Sequence, residues 1–255
     1  MRTHVSPLTN KGGGIAPPKS ALVILNSPIR QPPSPLFDAL WKNAAYRVCA
    51  DGGANRLHKA TRGKDYVPSL IRGDLDSLDD HVRDHYRQLG CVIERESDQN
   101  SNDLDKALTA VEREGYKSCC VYGAFGGRFD QEMGCFQALY KWDSRFDELW
   151  LYDDQTCAIL LPADQNHEIY LVHSKEITDP TVPGEGPTCG LIPLSVPCDS
   201  VSTTGLQWNL ENQHTAFGGL VSTSNRVVED KVTVRNSHPL IFTAEVTSGS
   251  SCDLT

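Results

Sequence analysis

Long apolar runs are missing from this chain. None approaches the roughly 18–20 residues that a membrane-spanning helix needs, so no span is expected. Cysteine pairs of the CxxC type are missing too, although nine cysteines are scattered along the 255 residues. An odd number without zinc-type spacing argues against a disulfide framework or a structural zinc, and for reduced thiols in the cytoplasm. Positive charge is in deficit, with 24 Lys and Arg against 33 Asp and Glu and a net charge of −9. A nucleic-acid surface needs clustered cations, so that class of partner is excluded, whereas a small phosphorylated ligand needs only one or two. The first residues, "MRTHVSPLTNKGGGIAPPKS", lack the apolar core of a secretion signal. They lack acids as well, a faint transit-peptide feature, but their Gly and Pro content points to a disordered extension over 1–19.

What is present is an alternation of strand-like and helix-like stretches. "ALVILN" (21–26), "YRVCADGG" (46–53), "SLIRGD" and "CVIERE" (91–96) are short apolar runs that break at glycine or acid. "LDDHVRDHYRQLG" has helical spacing at Leu78, Val82, Tyr86 and Leu89. "NDLDKALTAVEREG" (102–115) is the clearest helix, with Asn102 as cap and Leu104, Leu108 and Val111 as its apolar stripe. "KSCCVYGAF" then reads as a buried strand, "FDQEMGCFQALYKW" as a helix, and "DELWLYD" and "TCAILLP" as strands. Such alternation predicts a doubly wound, mostly parallel sheet with ligands beyond the carboxyl ends of its strands. Near residue 162 the pattern changes to a Pro- and Gly-rich passage and short β-like runs, which predicts a smaller all-β sandwich or barrel. The expected division is an α/β domain over 20–162, a β domain over 163–247 and a loose tail over 248–255.

The chemistry concentrates at the predicted strand ends. "GDLDS" places Asp74 and Asp76 two residues apart on a loop, where both can turn inward on a hard cation such as magnesium; a solvated acidic turn with a cap from Ser77 or Asp79 is the alternative. "GAFGGRFDQ" (123–131) offers Gly126 and Gly127 as space for a polyanion, Arg128 as a clamp for phosphate oxygens and Asp130 at the next helix start, or simply a glycine turn. Asp103 stands at a helix N-terminus, which should lower its pKa and keep it ionised. Glu94, Glu96 and Asp98 read as solvated. In the β region, Trp208 alternates with polar residues, and Ser222, Thr223, Ser224 and Asn225 form a run of small hydrogen-bonding side chains. That set suits a flat, cationic heteroaromatic ligand; a core Trp on a strand is the plainer reading.

Taken together and in this order, "ADGGANRL", "GDLDS", the frame of Gln99, Asp103 and Lys106, "GGRFDQ", "TTGLQWNL" and "FGGLVSTSN" resemble the eukaryotic thiamine pyrophosphokinase family over about residues 20–246. The resemblance implies Mg²⁺-dependent transfer of a pyrophosphoryl group from ATP to thiamine, giving thiamine diphosphate and AMP. It implies a homodimer whose thiamine pocket draws on the α/β domain of one subunit and the β domain of the other. Asp51, Asp74 and Asp76 inherit the metal, and Asp74, Asp76, Asp103 and Arg128 the catalysis. The ATP phosphates fall to Asp51, Gly52, Gly53, Asn55, Gly126, Gly127, Arg128 and Asp130. Thiamine falls to Gln99, Asp103, Trp208, Ser222, Thr223, Ser224 and Asn225. The chain departs from the family pattern at Asn100 and Asn102, which replace an acid and a threonine, at Arg72 and at Gln131, and over about 174–190. Two rival readings remain: a haloacid-dehalogenase-like phosphatase, which also carries a D-x-D pair but after its first strand, and a thiamine-binding protein without transfer chemistry.

Overall fold

The structure is a computed structural model describing residues 1–8, 19–62, 65–98, 100–172 and 182–249. The chain opens on strand β1 (Arg2–Val5), which runs parallel to a strand near residue 167. Val5 and Leu8 are buried. Part of the 1–19 stretch expected to be disordered is therefore a sheet strand; residues 9–18 lie outside the described residues. A strand of four residues is too short to carry a periodic signal.

Two compact units follow from the packing, Pro18–Asp153 and a second made of Met1–Pro17 with Asp154–Thr255. The first contains β2 (Ser20–Ile24), α1 (Pro35–Asn43), β3 (Ala44–Ala50), α2 (Gly53–Thr61), β4 (Leu70–Gly73) and α3 (Asp80–Gln88). It continues through β5 (Val92–Arg95), α4 (Asp103–Arg113), β6 (Ser118–Tyr122), α5 (Phe129–Trp142) and β7 (Glu148–Tyr152). Its strands pair in parallel in the order β7–β6–β2–β3–β4–β5. The order reverses between β2 and β6, so right-handed crossovers wind helices onto both faces, as the sequence pattern predicts. β2, β6 and β7 are buried along their whole length, as strands covered on both faces must be. Helix α1 was not legible as a periodic run, but its start is well marked. Ser34 Oγ accepts from Phe37 N at 3.1 Å and Pro35 fills the first turn, where no N–H is needed.

The second unit holds β8 (Thr156–Leu161), β9 (Gln165–Tyr170), β10 (Gly184–Ile192), β11 (Cys198–Thr204), β12 (Gln213–Thr215), β13 (Ser222–Arg226), β14 (Val232–Asn236) and β15 (Leu240–Thr247). Within it, strands pair in the orders β1–β9–β14–β11–β12 and β13–β10–β15–β8. β8, expected to close the α/β domain at 162, belongs here instead and pairs antiparallel with β15. Its apolar run reads alike in either setting, which is why the boundary was misplaced. Ser248 of the expected tail is buried, and the residues after Gly249 lie outside the description. The eight described cysteines are buried and form no disulfide. Among the described residues no helix is long and apolar enough to cross a membrane.

β1 is fastened by histidines. His4 Nε2 lies 3.0 Å from His167 Nδ1, and His167 Nε2 lies 2.9 Å from the carbonyl of Pro162. A carbonyl only accepts, so His167 carries its proton on Nε2 and receives His4 through Nδ1. Burial holds the His167 imidazole down at about 4, against 6.5 in the unfolded chain. Below pH 6.5 the unfolded chain binds the proton that the folded one refuses, so stability falls as pH drops towards 4. The loss reaches on the order of 3 kcal/mol. Denaturant unfolding across this range should show that slope in the wild type and a flatter one in His167→Gln.

Candidate active site

The α/β unit gathers carboxylates at the carboxyl ends of β3 and β4. Asp51 follows β3, and Asp74 and Asp76 follow β4; one oxygen from each lies within 4.8 Å of the others. Asp51 adopts the left-handed conformation (φ 42°), which Asp tolerates, and Leu75 between the other two does so as well (φ 65°), which is uncommon for Leu. Gly73 makes the close approach possible, since a Cβ there would stand 2.6 Å from Asp51 Cβ. The loop is pinned to the helix beside it. Asn55 Nδ2 donates to Ser77 O at 2.7 Å, and Asn55 Oδ1 accepts from Asp79 N at 3.1 Å. Ser77 N in turn donates to Asp51 Oδ2 at 3.2 Å, and Asp76 N to Asp74 Oδ1 at 3.2 Å.

Asp51 is buried, and its Oδ1 has no hydrogen-bond partner. Burial raises its pKa, Asp103 and Asp74 add to the rise, and the Ser77 bonds oppose it. A buried carboxylate oxygen without a donor, next to two more carboxylates, is the donor set of a hard divalent cation. The residues present fit magnesium.

Opposite stands α4, capped by Asn102, whose Oδ1 accepts from Asp105 N at 2.8 Å. Lys106 is buried with Nζ 3.6 Å from Asp103 Oδ1 and 3.8 Å from Asp74 Oδ2. It was legible only as part of the family frame, since a lysine three residues into a helix reads as surface. Asp103 overturns one expectation. Its pKa is raised, not lowered: burial leads, Asp74 and Asp76 contribute, and these outweigh Lys106. Asp105 points elsewhere, accepting from Trp142 Nε1 at 2.7 Å and Lys141 Nζ at 2.9 Å to join α4 to α5.

Other expected residues fall at varying remove. Gln99 lies outside the described residues. Arg128 and Asp130 are exposed and pair with each other, Nε to Oδ1 at 3.0 Å and Nη2 to Oδ2. Gly126, at φ 76°, donates its N–H to Glu132 Oε2 at 3.3 Å, and Gly127 leaves open space beside it. Glu94 and Glu96 are not merely solvated. Both pair with the buried Arg72, through Nη1 and Nη2, and Glu94 also meets Arg113. The Arg113 hydrogen bond, seconded by Arg72, holds the Glu94 carboxyl below its ordinary value.

In the β unit, Trp208 is not on a strand. It sits in a turn with 58% of its surface exposed, which rules out the core reading. Asn225 is buried and clamps that turn, its Oδ1 accepting from Trp208 N at 3.2 Å and its Nδ2 donating to Trp208 O at 2.8 Å. It also meets Ser222 Oγ at 3.3 Å, while Thr223 and Ser224 face solvent. The amide of Asn225 is thus consumed in presenting Trp208.

Two family models match the chain, "Thiamin pyrophosphokinase, catalytic domain" over residues 37–151 and "Thiamin pyrophosphokinase, vitamin B1 binding domain" over 166–241. Fold, acidic cluster and these matches define a kinase-class transferase, an enzyme with its catalytic domain separate from a vitamin-binding one. The chain is 39% identical to thiamine pyrophosphokinase 1 of Arabidopsis thaliana over 248 residues, covering 89% of this chain and 86% of that one. It is equally 39% identical to thiamine pyrophosphokinase 1 of Oryza sativa subsp. japonica over 242 residues, 88% and 86% of the two chains. Among solved structures, thiamin pyrophosphokinase from Candida albicans superposes with a TM-score of 0.79 at 25% identity, covering 96% of this chain and 93% of that one. The chain belongs to the thiamine pyrophosphokinase family.

Removing the Asn225 amide should loosen the turn it clamps. Asn225→Ala strands the Trp208 backbone groups and should cost about 1–3 kcal/mol in denaturant unfolding. A loss inside the roughly 0.5 kcal/mol typical of neutral surface changes would show that something else holds the turn.

Proposed function

We propose that this enzyme transfers the β,γ-pyrophosphoryl group of ATP to the hydroxyl of thiamine with the help of Mg²⁺, releasing AMP. The observation that carries the reading is the three-carboxylate cluster with an orphaned buried oxygen on Asp51. Asp51, Asp74 and Asp76 would hold the ion, which when bound would neutralise charge on the transferring phosphates. The hydroxyl oxygen bonds to the β-phosphorus, and the bond from that phosphorus to the bridging oxygen of the α-phosphate breaks. AMP leaves with that oxygen. Asp103, whose raised pKa favours taking up a proton, accepts the one from the attacking hydroxyl. Lys106 holds Asp103 and Asp74 at a fixed separation. Arg128 keeps Nη1 for a phosphate oxygen while Asp130 orients the rest of its fork, with Gly126 and Gly127 leaving room for the polyphosphate. In the β unit, the exposed Trp208 face suits the cationic thiazolium, and Ser222, Thr223 and Ser224 supply hydroxyls near the turn that Asn225 holds. Buried thiols that form no disulfide support work in a reducing compartment such as the cytoplasm.

Incubation with ATP, Mg²⁺ and thiamine should yield AMP rather than ADP or free phosphate. Asp74→Asn should lower kcat by at least ~10²-fold, roughly 3 kcal/mol of transition-state stabilisation. Near-normal turnover in that variant would remove Asp74 from the site.

We further infer a homodimer in which thiamine meets Asp103 of one subunit and Trp208 of the other. The resemblance to the family supports this arrangement. Trp208→Ala and Asp103→Asn should each be inactive alone, and mixing them should restore activity, because a mixed dimer carries one site free of both changes. Confirmed subunit exchange without recovered activity would mean that each pocket is built from one chain.

A further inference from the structure

A buried arginine two places before an aspartate that suits a cation is unexpected, because its charge opposes the ion. Arg72 nevertheless stands there, in β4 and ahead of Asp74. Its Nε is buried with no hydrogen-bond partner, which is unfavourable by itself. Both Nη atoms are engaged. Nη1 meets Glu94 Oε2, and Nη2 meets Glu96 Oε2 at 2.9 Å. Glu94 lies directly across from Arg72 in the parallel register of β4 and β5. Glu96 follows the end of β5, two places on in extended backbone and so on the same face.

Each glutamate reaches a different end of α4. Glu94 takes Arg113 Nη2, in the last turn of that helix, at 2.9 and 3.1 Å. Glu96 begins a chain of hydrogen bonds that runs to the first turn. Its Oε1 accepts from Asp98 N at 3.3 Å, and Asp98 accepts from Asn100 N at 2.9 Å and from Ser101 Oγ at 2.8 Å. Asn102 comes next and caps α4 through Asp105 N. A helix of eleven residues is about 16 Å long, so a grip near each end fixes both its tilt and its slide. Among the described residues β5 is the edge of the sheet, and the loop leaving it has no further strand to lean on.

We propose that Arg72 is a positioning residue for the transfer reaction: its fork, acting through Glu94 and Glu96, sets α4 against β4 and so fixes Asp103 opposite the Asp74 loop. This rests on the role given to Asp103 above. Arg72 acts through the two glutamates and holds no reacting group. Without it, two carboxylates on one face of an edge strand repel each other, and both ends of α4 lose their hold together. Lys106 also joins Asp103 to Asp74, at 3.6 and 3.8 Å, but a single ammonium on a flexible stem tolerates displacements that a planar fork does not. The carboxylate loop itself is braced separately, by Asn55 and Ser77. Loss of Arg72 therefore displaces Asp103 and leaves the Asp51, Asp74 and Asp76 cluster in place.

The test is a kinetic split on the full chain, paired with amide exchange. Arg72→Met keeps the aliphatic stem and removes the fork; it should lower kcat about tenfold and leave the KM for Mg²⁺-ATP within about twofold, as a misplaced catalytic group does. Arg72→Lys, able to hold one carboxylate but not both, should fall between. Glu96→Gln should lower kcat as well, and joined to Arg72→Met it should add less than the product of the separate losses. Exchange of the Asp105 and Lys106 amides should quicken in Arg72→Met, while those of β2 and β6 keep their wild-type protection. Where Arg72→Met does not fold, Glu96→Gln alone carries the same kinetic and exchange expectations. A kcat within about twofold of wild type overturns the proposal, as does full activity in Arg72→Lys or multiplicative losses in the double variant. A raised KM for Mg²⁺-ATP overturns it too, because the effect would then lie in the carboxylate loop. Protection lost evenly across the sheet, or unchanged in α4, does the same. Should the wild type release no AMP, the reaction reading fails by itself, and the exchange pattern still decides whether Arg72 holds α4.

Discussion

Everything at the rim of the parallel sheet answers to one electrostatic constraint: Asp51 is out of water with an oxygen that no donor reaches. Such a group costs several kcal/mol if left charged and alone. The protein surrounds it with more negative charge, an arrangement that suits a cation. Gly73 has no side chain because one would push Asp51 aside, and Asn55 and Ser77 brace the loop that brings Asp74 and Asp76 near. Lys106 stands between Asp74 and Asp103 as a permanent counter-charge of the chain's own. One buried lysine cannot balance four carboxylates, and the shortfall is what a divalent ion would supply.

Helix α4 divides its labour by face. Asp103 and Lys106 look to the cluster, three residues apart and so on one side of the helix. Asp105 turns away and binds Trp142 and Lys141 of α5. The same few residues thus carry part of the site and the joint that fixes the helix position. The site is also offset from the point where strand order reverses. Between β2 and β6 the backbone is closed, with Ser27 Oγ donating to Gly123 O at 2.6 Å. The carboxylates stand past β3 and β4, beyond that closure.

Much of this was legible in the residues. The parallel α/β alternation, the Asn102 cap and the Asp74–Asp76 pair follow from local pattern, because strand ends and glycine breaks are local events; Asp51 joins that pair only through the family resemblance. What failed was non-local. The partner of β1 stands far along the chain, and β8 looks the same whichever unit it joins. Asp103 was read from its helix end alone, but its pKa is set by burial and by acids from another strand. Arg72 reads as a departure from the family pattern until Glu94 and Glu96 are found beside it on the neighbouring strand β5. Trp208 owes its exposure to Asn225, seventeen residues on, and no periodicity within the turn announces that bond.

The histidine pair that fastens β1 also sets an order of events during synthesis. His4 and His167 are 163 residues apart. At about 5–20 residues per second, the first strand would wait roughly 8–33 s for its partner strand to be made. During that interval the whole of Pro18–Asp153 is synthesised and can fold by itself, while β1 stays an unpaired edge. The three residues that follow β1, Ser6, Pro7 and Leu8, are likewise buried in the folded protein. A nascent chain of this protein therefore carries β1 unsheltered until β9 is made, and the span before β9 emerges is when a chaperone has most to hold.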